Sequence, residues 1–441
     1  MNCLSNPAMS RLKWYQIQGV SRMMDDNVFI QADVMGMGKT AQAIEYMEKT
    51  AGKYIVICSA SLKYNWQNEL QIWTHKLIET DCYGQDIIIT NYERIGKLID
   101  DLGEIVTQYK GVIFDEAHNL KNIHAARTQE ARRLVDLVGN PMMLTGTPIL
   151  NRPDDLIGLL YAGKKLQDFH GEEAFKYRYM RELSKDSVVY LDSVSRTEEL
   201  QRRINKYIVR RTWNSLGLPA YPYSIHKEYI GTYTGQPLAS RDICNIEHTE
   251  KKIVQFKQQR CINWIKERLR QGISLVIFAH HKALIDAIAK ALPVLSVVHG
   301  GLSAKEKEKQ IQLFKSGITL GILCSINCAS VGHNFTNSCD VVFLEYPWNK
   351  GILAQAIARC ARQGQDRFVD VYFLIVKNSF DEYRLEQQDI KAVIADNIID
   401  TGIREQDTDV MNNISRLHDY IHTKDTQSLN SILTQLNTEL L

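Results

Sequence analysis

The chain has 441 residues, of which 44% are hydrophobic and 24% are charged, and its formal net charge is +2. This length suits two or three globular domains, and no apolar run approaches the ~20 residues of a membrane span, which excludes the membrane-spanning class. The near-neutral charge excludes nucleic-acid binding through the overall electrostatic field, so any such binding needs a local basic groove.

The nine cysteines form no C-x-x-C pair, and several lie inside apolar runs. Cys324, Cys328 and Cys339 are close enough to suggest a metal site, but no histidine has the matching spacing, which favours buried free thiols. The amino terminus lacks the apolar core of a signal peptide. We therefore expect a cytoplasmic protein, in a bacterial cytosol or that of a viral host, or a nuclear one if the source is eukaryotic.

The first predicted helix, Leu12 to Val20 (LKWYQIQGV), carries apolar residues at helical spacing. Its Gln16 is either a surface residue or a residue that recognises adenine, since the side-chain amide offers both a donor and an acceptor. Its position in the sequence does not separate these two roles.

A glycine-rich loop follows, from Asp33 to Thr40 (DVMGMGKT), between an apolar run and a predicted helix. A strand, a glycine turn and a helix start form a phosphate site, because backbone N–H groups and the helix dipole point at the anion. Gly36 and Gly38 supply the turn, Lys39 would reach the outer phosphates, and the Thr40 hydroxyl would hold Mg²⁺. The strict P-loop pattern needs a glycine where Asp33 stands, so an ordinary glycine turn before a helix is the alternative.

Fully apolar strands then alternate with helices, which predicts an α/β lobe with a parallel sheet covered on both faces. The predicted strands are residues 54–58, 87–90, 111–114 and 141–144. The glycine loop, the DEAH sequence at 115–118 and the LTGTP sequence at 144–148 each follow a strand. Ligands bind at the carboxyl ends of such strands, so these motifs are expected to line one crevice.

Residues 161–212 interrupt the alternation with a helical, basic and aromatic stretch that includes FKYRYMR at 175–181. Such mixtures suit contact with bases and phosphates, and a solvated helical insertion is an equal alternative. Residues 213–255 contain several prolines and glycines and little periodicity, and we interpret them as the connection between two domains.

A second alternation of strands and helices spans residues 256–395 without a Gly-x-Gly-Lys-Thr sequence. Ser303 and Glu306 predict a capping box at the start of one of its helices. Another predicted helix, residues 352–362, carries two arginines three residues apart on one face. Residues 396–441 show helical apolar spacing and predict a short helical extension.

Asp115 and Glu116 follow an apolar strand, and hydrolysis of a phosphoanhydride needs a metal to bridge phosphate oxygens and a carboxylate to orient water. Asp115 fits the metal role together with Thr40, and Glu116 fits the water-activating role. Adjacent carboxylates alone are common surface features, but their order after a Lys-Thr loop favours catalysis. Arg359 and Arg362 form either a solvated basic face or arginine fingers, whose guanidinium groups stabilise charge on the transferred phosphate.

Taken together, these motifs resemble the Swi/Snf family of helicase-like ATPases, in helicase superfamily two, over about residues 10–390. The motifs that carry the resemblance are LKWYQIQGV, ADVMGMGKT, CSASLKYNW, IIITNYE, DEAHNLKN, LTGTPILNRPDDL, IVRRT, HGGLSAKEKEKQIQLF, EYPWN and QAIARCARQGQ. In this family the loop begins with aspartate, as it does here at Asp33. The sequence FAHHK at 278–282 is most similar to the fork-remodelling, strand-annealing branch.

The resemblance implies two RecA-like lobes that bind ATP and Mg²⁺ between them and clamp double-stranded DNA across their cleft. It implies that Gln16 contacts adenine, that the loop from Asp33 to Thr40 binds the nucleotide, and that Arg359 and Arg362 are the fingers. It assigns coupling between the nucleotide and the DNA to His118, Thr145 and Gly332. It assigns contacts with the DNA backbone to Ser61, Thr90, Gly300, Ser330 and Trp348.

The expected activity is ATP-dependent translocation on double-stranded DNA, including forked or branched forms. The alternatives are a strand-separating DEAH-type helicase on DNA or RNA, and a catalytically weak DNA-binding clamp. We expect a monomeric, minimal motor without accessory reader domains. Its expected parts are a first lobe (1–160), a helical protrusion (161–212), a linker (213–255), a second lobe (256–395) and a helical extension (396–441).

Overall fold

The computed structural model describes most of both predicted lobes. The described residues are 12–25, 27–74, 76, 78–80, 85–148, 154–180, 194–217, 223–234, 246–326, 334–347, 350–362, 364–379 and 381–382. They form helices around two separate sheets in which every described strand pair is parallel, which confirms the predicted α/β fold. The predicted extension at 396–441, together with Ser330, Gly332 and Trp348, lies outside the described residues.

Among the described residues, the first sheet has seven strands, and eight α-helices belong to the same lobe. The strands are β1 (Ile30–Gln31), β2 (Lys53–Cys58), β3 (Ile78–Thr80), β4 (Ile87–Asn91), β5 (Tyr109–Asp115), β6 (Pro141–Leu144) and β7 (Ile208–Val209). The helices are α1 (Trp14–Met23), α2 (Lys39–Thr50), α3 (Lys63–Trp73), α4 (Ile95–Leu102), α5 (Ala126–Val138), α6 (Asp155–Ala162), α7 (Glu172–Tyr179) and α8 (Val194–Ile204). The strand order is β3-β4-β2-β5-β6-β1-β7.

The strands β2, β4, β5 and β6 contribute side chains to two apolar cores because successive residues of a strand point to opposite faces. In β2, Ile55 and Ile57 belong to one core, while Tyr54, Val56 and Cys58 belong to the other. Both faces are therefore buried, as the uninterrupted apolar runs predict for a parallel sheet. The neighbouring strands β5, β6 and β1 bring the DEAH sequence, the LTGTP sequence and the glycine loop side by side at the carboxyl edge.

The second sheet has six strands and is covered by four described helices. The strands are β8 (Tyr223–Thr232), β9 (Leu275–Ala279), β10 (Leu295–Val298), β11 (Gly321–Ser325), β12 (Asp340–Phe343) and β13 (Val369–Lys377). The helices are α9 (Ile246–Arg270), α10 (Lys282–Ala291), α11 (Ala304–Lys315) and α12 (Lys350–Ile357). The strand order is β10-β11-β9-β12-β13-β8, with an apolar core on each face. The predicted capping box of Ser303 and Glu306 is confirmed at the start of α11.

The predicted connection at residues 213–255 contains more regular structure than its composition indicates. It includes β8, which pairs with β13 at the edge of the second sheet, and the beginning of α9. The strand is hard to recognise from sequence because it lies at an edge, where its polar residues alternate between half-buried and exposed positions. His226 of β8, for example, contacts Asp370 at 2.7 Å and stacks on Tyr372. The domain boundaries themselves remain predictions.

Of the described cysteines, Cys58, Cys261, Cys324 and Cys360 are buried and Cys339 is partly exposed, and none of these five forms a disulfide. Among the described residues, no helix combines the length and the apolar character that a membrane crossing requires.

Glu345 lies two residues after the end of β12 and forms hydrogen bonds with the segment between β9 and α10. Its Oε2 accepts hydrogen bonds from the backbone N–H groups of His280 (2.7 Å) and His281 (2.9 Å), and its Oε1 contacts His281 Nδ1. Burial alone would raise the pKa of Glu345, but the hydrogen bonds and charge of His281 outweigh it and lower the pKa to about 2. The ionised carboxylate therefore stabilises this part of the second lobe.

We expect Glu345→Gln to lower the free energy of unfolding at pH 7 by about 3 kcal/mol, the amount that corresponds to its pKa shift from 4.5 to about 2. Because the folded pKa lies below the unfolded one, this stabilisation is complete above the unfolded pKa and is lost as the pH falls toward about 2. Urea denaturation at several pH values measures the difference. The exposed Asp366→Asn is the control, and an equal stability of Glu345→Gln and the parent at pH 7 would refute the assignment.

Candidate active site

The glycine loop has the backbone geometry of a phosphate site. Gly36 (φ +83°) and Gly38 (φ +75°) lie in the left-handed region that favours glycine, and α2 begins immediately afterwards at Lys39. Lys39 Nζ donates to the backbone carbonyl of Asp33 at 2.7 Å. Burial lowers the pKa of Lys39, while the nearby carboxylates, with Glu116 foremost, act in the opposite direction.

Gln16 lies against this loop, as its predicted role requires. Its Nε2 donates to the carbonyl of Met37 at 3.1 Å, and its Oε1 accepts from the backbone N–H of Lys13 at 2.8 Å. A Cβ atom at Gly38 would come within 2.3 Å of Gln16 Nε2, so a larger residue there would displace the Gln16 amide from the loop. The contact of Gln16 with adenine remains a prediction.

Asp33 has a different position from the one predicted for a residue that binds the nucleotide. Its carboxylate is fully buried and accepts hydrogen bonds from Arg211, from Gln31 at 2.9 Å and from Gln42 at 3.3 Å. Arg211 also contacts the carbonyl of Tyr15. Asp33 therefore joins α1, α2 and the end of β7 beneath the loop, and only its backbone carbonyl faces Lys39.

Arg210, beside Arg211, holds the loop to the LTGTP segment. Its Nη1 donates to the carbonyls of Ala32 and Gly146, each at 3.2 Å. A Cβ atom at Gly146 would lie 2.9 Å from Met35 and 3.4 Å from Lys39 Nζ, so this glycine allows the two motifs to approach closely. The Arg-Arg pair was visible in the sequence as part of IVRRT, but its partners were not.

Asp115 and Glu116 lie beside Lys39 at the end of β5. Trp66 Nε1 donates to Asp115 Oδ2 at 2.7 Å, and the backbone N–H of Glu116 donates to Asp115 Oδ1 at 3.0 Å. Burial, followed by the charge of Glu116, raises the pKa of Asp115 to about 6. A buried carboxylate with a raised pKa gains more from a bound cation than a solvated one does, so its environment suits the metal role.

Glu116 has an unusual backbone conformation for a non-glycine residue, with φ +51°. Strain of this kind is typical of sites where function fixes a side chain. Glu116 Oε2 lies 3.3 Å from His118 Nδ1. Burial would raise the pKa of Glu116, but His118, Lys39 and Arg359 together lower it, so the carboxylate is ionised at neutral pH.

The second lobe reaches these carboxylates through α12 and the turn after it. Gln355 Nε2 donates to Glu116 Oε2 at 3.3 Å, across the two lobes. Burial lowers the pKa of Arg359 to about 10, and the charges of Glu116 and Asp115 oppose this shift. Arg359 is therefore in the electrostatic field of the first-lobe carboxylates.

The prediction that Arg359 and Arg362 lie on one helix was wrong. Helix α12 ends at Ile357, and shorter-range bonds follow, such as Arg359 N to Ala356 O and Cys360 N to Ile357 O. The backbone carbonyl of Arg359 accepts from Phe335 N at 2.8 Å, and Arg362 contacts Asn334 Oδ1. Both arginines are thus held by the segment before β12 and not by a helix face. Their role as fingers remains a prediction.

The residues predicted to couple the nucleotide to DNA are only partly described. His118 lies beside Glu116, and Thr145 is buried, with its Oγ1 accepting from the N–H of Thr147 at 3.1 Å. Both therefore adjoin the candidate catalytic groups, which fits a coupling role. Gly332 lies outside the described residues.

Of the residues predicted to contact DNA, only Thr90, Gly300 and Ser61 are among the described residues. Thr90 is only 1% exposed within β4, so its side chain is covered here, and its contact with DNA stays a prediction. Gly300 is exposed after β10, and Ser61 lies in the short helical turn Ala60–Leu62 after β2. Ser330 and Trp348 lie outside the described residues.

The basic and aromatic stretch at 161–212 uses much of its chemistry internally. Phe175 and Tyr179 are fully buried, and Arg178 pairs with Glu199 through bonds of 2.8 and 2.7 Å. Arg203 lies over the ring of Phe169. These contacts favour the alternative of a folded helical insertion over a stacking surface for bases.

The residues present fit a Mg²⁺–nucleotide. The left-handed glycines and the start of α2 form an anion site, and Mg²⁺ typically takes one or two protein ligands in addition to substrate phosphates. Thr40 and Asp115 would supply those protein ligands. The end of the glycine loop also has two cationic side chains and one ionised carboxylate close together: Lys39, Arg359 and Glu116.

Two segments of the chain match protein families whose names fit a nucleotide site between two lobes. Residues 15–227 match the SNF2-related domain, and residues 257–364 match the helicase conserved C-terminal domain. The chain is 28% identical over 417 residues to the SWI/SNF-related matrix-associated actin-dependent regulator of chromatin subfamily A-like protein 1 of Bos taurus, a match that covers 85% of this chain and 43% of the relative.

Two further relatives are similar at the same level. The DNA annealing helicase and endonuclease ZRANB3 of Bos taurus is 26% identical, over 86% of this chain and 40% of the relative. An uncharacterized ATP-dependent helicase of Mycoplasma genitalium is 27% identical, over 88% of this chain and 42% of the relative. The chain thus spans about two fifths of the length of these relatives. The two matched domains, with the motifs of the Swi/Snf resemblance in both, make the chain a member of the SNF2-related family of helicase-like ATPases.

Proposed function

We propose that the chain is an ATP-dependent translocase on double-stranded DNA, which hydrolyses ATP to ADP and phosphate between its two lobes. One observation carries this proposal. Glu116 of the first lobe accepts a hydrogen bond from Gln355 of the second lobe and interacts electrostatically with Arg359. A nucleotide bound at the glycine loop would therefore contact groups from both lobes.

Each group has a chemical role that its surroundings support. Lys39 offsets the charge of the outer phosphates, and Glu116, ionised at neutral pH, accepts the proton of the attacking water at a carboxylate oxygen. Thr40 and Asp115 would hold a Mg²⁺ ion, which when bound would supply positive charge to the phosphate groups. Arg359 stabilises the charge that develops on the transferred phosphoryl group, since its guanidinium stays protonated even with its lowered pKa.

The division of the site between two lobes gives a route from hydrolysis to movement. If Arg359 is required for the reaction, then turnover requires the lobes to be together, and product release allows them to separate. A DNA duplex bound across both lobes would be held alternately by one lobe and by both. The name of one relative, a DNA annealing helicase, supports DNA as the substrate, and the name of another, an ATP-dependent helicase, supports the use of ATP.

Displacement of a third DNA strand tests translocation on a duplex. We expect the full chain with Mg·ATP to remove a triplex-forming strand from a duplex without separating the two duplex strands. Lys39→Ala is the control that lacks turnover. Separation of the duplex would favour the strand-separating alternative, and failure to displace the third strand despite ATP hydrolysis would refute translocation.

A further inference from the structure

Trp213 is an aromatic residue beside the candidate nucleotide site, and it has no part in the hydrolysis proposed for Lys39, Glu116 and Arg359. It follows β7 and the two arginines beneath the glycine loop. A Cβ atom at Gly36 of the loop would lie 3.6 Å from Trp213 Cζ2. The indole also packs edge-to-face on Tyr15, with ring centroids 5.8 Å apart and an interplanar angle of 76°.

The backbone around Trp213 is fixed to the loop. The N–H of Val34, inside the loop segment, donates to the carbonyl of Arg211 at 3.1 Å. Thr212 and Ser215 enclose Trp213 in a turn: the N–H of Thr212 donates to Ser215 Oγ at 2.9 Å, and the N–H of Ser215 donates to Thr212 Oγ1 at 3.0 Å. The ring is therefore positioned by bonds on both sides and not by its own packing alone.

The surroundings of the indole suit a nucleotide base. Trp213 is only partly buried, and it contacts the loop at a glycine whose φ is left-handed. Gln16, adjacent to Tyr15 in sequence, donates to Met37 of the same loop. An aromatic ring and an amide thus converge on the rim of the phosphate site, and aromatic rings stack favourably on purines.

We propose that Trp213 contacts the purine base of the bound nucleotide and contributes to its affinity; this inference rests on the nucleotide site of the proposed function. The competing role is that of a support that holds the loop in shape. The two roles predict different effects of Trp213 on the binding of different ligands. A base contact matters only for ligands that have a base, whereas a loop support matters equally for a bare phosphate chain.

Calorimetric binding of ATP and of inorganic tripolyphosphate to the full chain separates these roles without requiring turnover. We expect Trp213→Ala to weaken ATP binding by about 2- to 12-fold, the effect of one aromatic pair, and to leave tripolyphosphate binding unchanged. Trp213→Phe should restore most of the loss. Trp14→Ala is the matched control, since Trp14 is the other tryptophan that packs edge-to-face on Tyr15, also at 5.8 Å.

Three results would overturn the inference. Equal weakening of ATP and tripolyphosphate by Trp213→Ala would make the residue a loop support. The same loss of ATP binding in Trp14→Ala would assign the effect to Tyr15. Unchanged ATP binding in Trp213→Ala would remove the contact while leaving the proposed function intact. By contrast, a parent protein that binds neither ligand would refute the nucleotide site itself.

Discussion

Lys39→Ala will lower the rate of ATP hydrolysis by at least ~10²–10³-fold, the effect of removing one preorganised charge-stabilising donor. The ammonium of Lys39 is partly buried and lies in the field of Glu116 and Asp115, so it supplies a fixed positive charge at the end of the glycine loop. DNA binding should remain, because the substitution leaves the surfaces of both lobes unchanged. Phosphate release and DNA binding measured on the same preparation check both statements.

The control for this substitution is Lys49→Ala, which makes the same change at the other end of the same helix. Lys49 lies 4.0 Å from Glu45 and is partly exposed, so its loss should leave hydrolysis unchanged. Equal turnover by Lys39→Ala and the parent would refute the phosphate role of the loop. Equal loss in both variants would indicate damage to helix α2.

Arg359→Ala is expected to lower kcat by about 10³–10⁵-fold with a modest change in ATP affinity, as for other arginine fingers. The reason is that Arg359 interacts with Glu116 across the lobes and would meet the transferred phosphoryl group only when the site is complete. Arg359→Lys should not restore the rate, since lysine lacks the planar guanidinium. Single-turnover hydrolysis and nucleotide binding measure the two effects separately.

Arg367→Ala is the matched control for this prediction. Arg367 is an exposed arginine of the same lobe. It donates to the carbonyl of Asn337 at 2.9 Å and has no described contact with Asp115 or Glu116. A loss of less than a few fold in Arg359→Ala would show that this arginine is not a finger. Arg362→Ala, by the same assay, decides whether the second predicted finger also acts on the nucleotide.

Local sequence features predicted most of the fold. The apolar strands β2, β5, β6 and β9 were recognisable because a short uninterrupted apolar run is typical of a parallel strand buried on both faces. The capping box at Ser303 was recognisable because its two partners are three residues apart. The edge strand β8 was not, since an edge position tolerates polar residues and weakens the pattern.

In the candidate site, short motifs were predictable from sequence, whereas contacts between residues far apart in the chain were not. The loop, the carboxylate pair and the arginines were predictable because each is a short motif. The salt bridge between Asp33 and Arg211 was not, since the two residues are 178 positions apart. For the same reason, the hydrogen bonds of Trp66 to Asp115 and of Gln355 to Glu116 became visible only in the folded chain. The burial of Thr90 likewise depends on neighbouring strands, which a motif does not reveal.

The rate of phosphate release from Mg·ATP in the presence of different nucleic acids tests whether ATP hydrolysis by this chain depends on duplex DNA. Blunt duplex DNA, forked DNA, single-stranded DNA and RNA are compared at saturating concentration, with Lys39→Ala as the background. We predict little turnover without nucleic acid and strong stimulation by duplex or forked DNA, because bound duplex would bring the two lobes together. Turnover no higher than that of Lys39→Ala, or stimulation by single strands or RNA but not by duplex, would contradict the account.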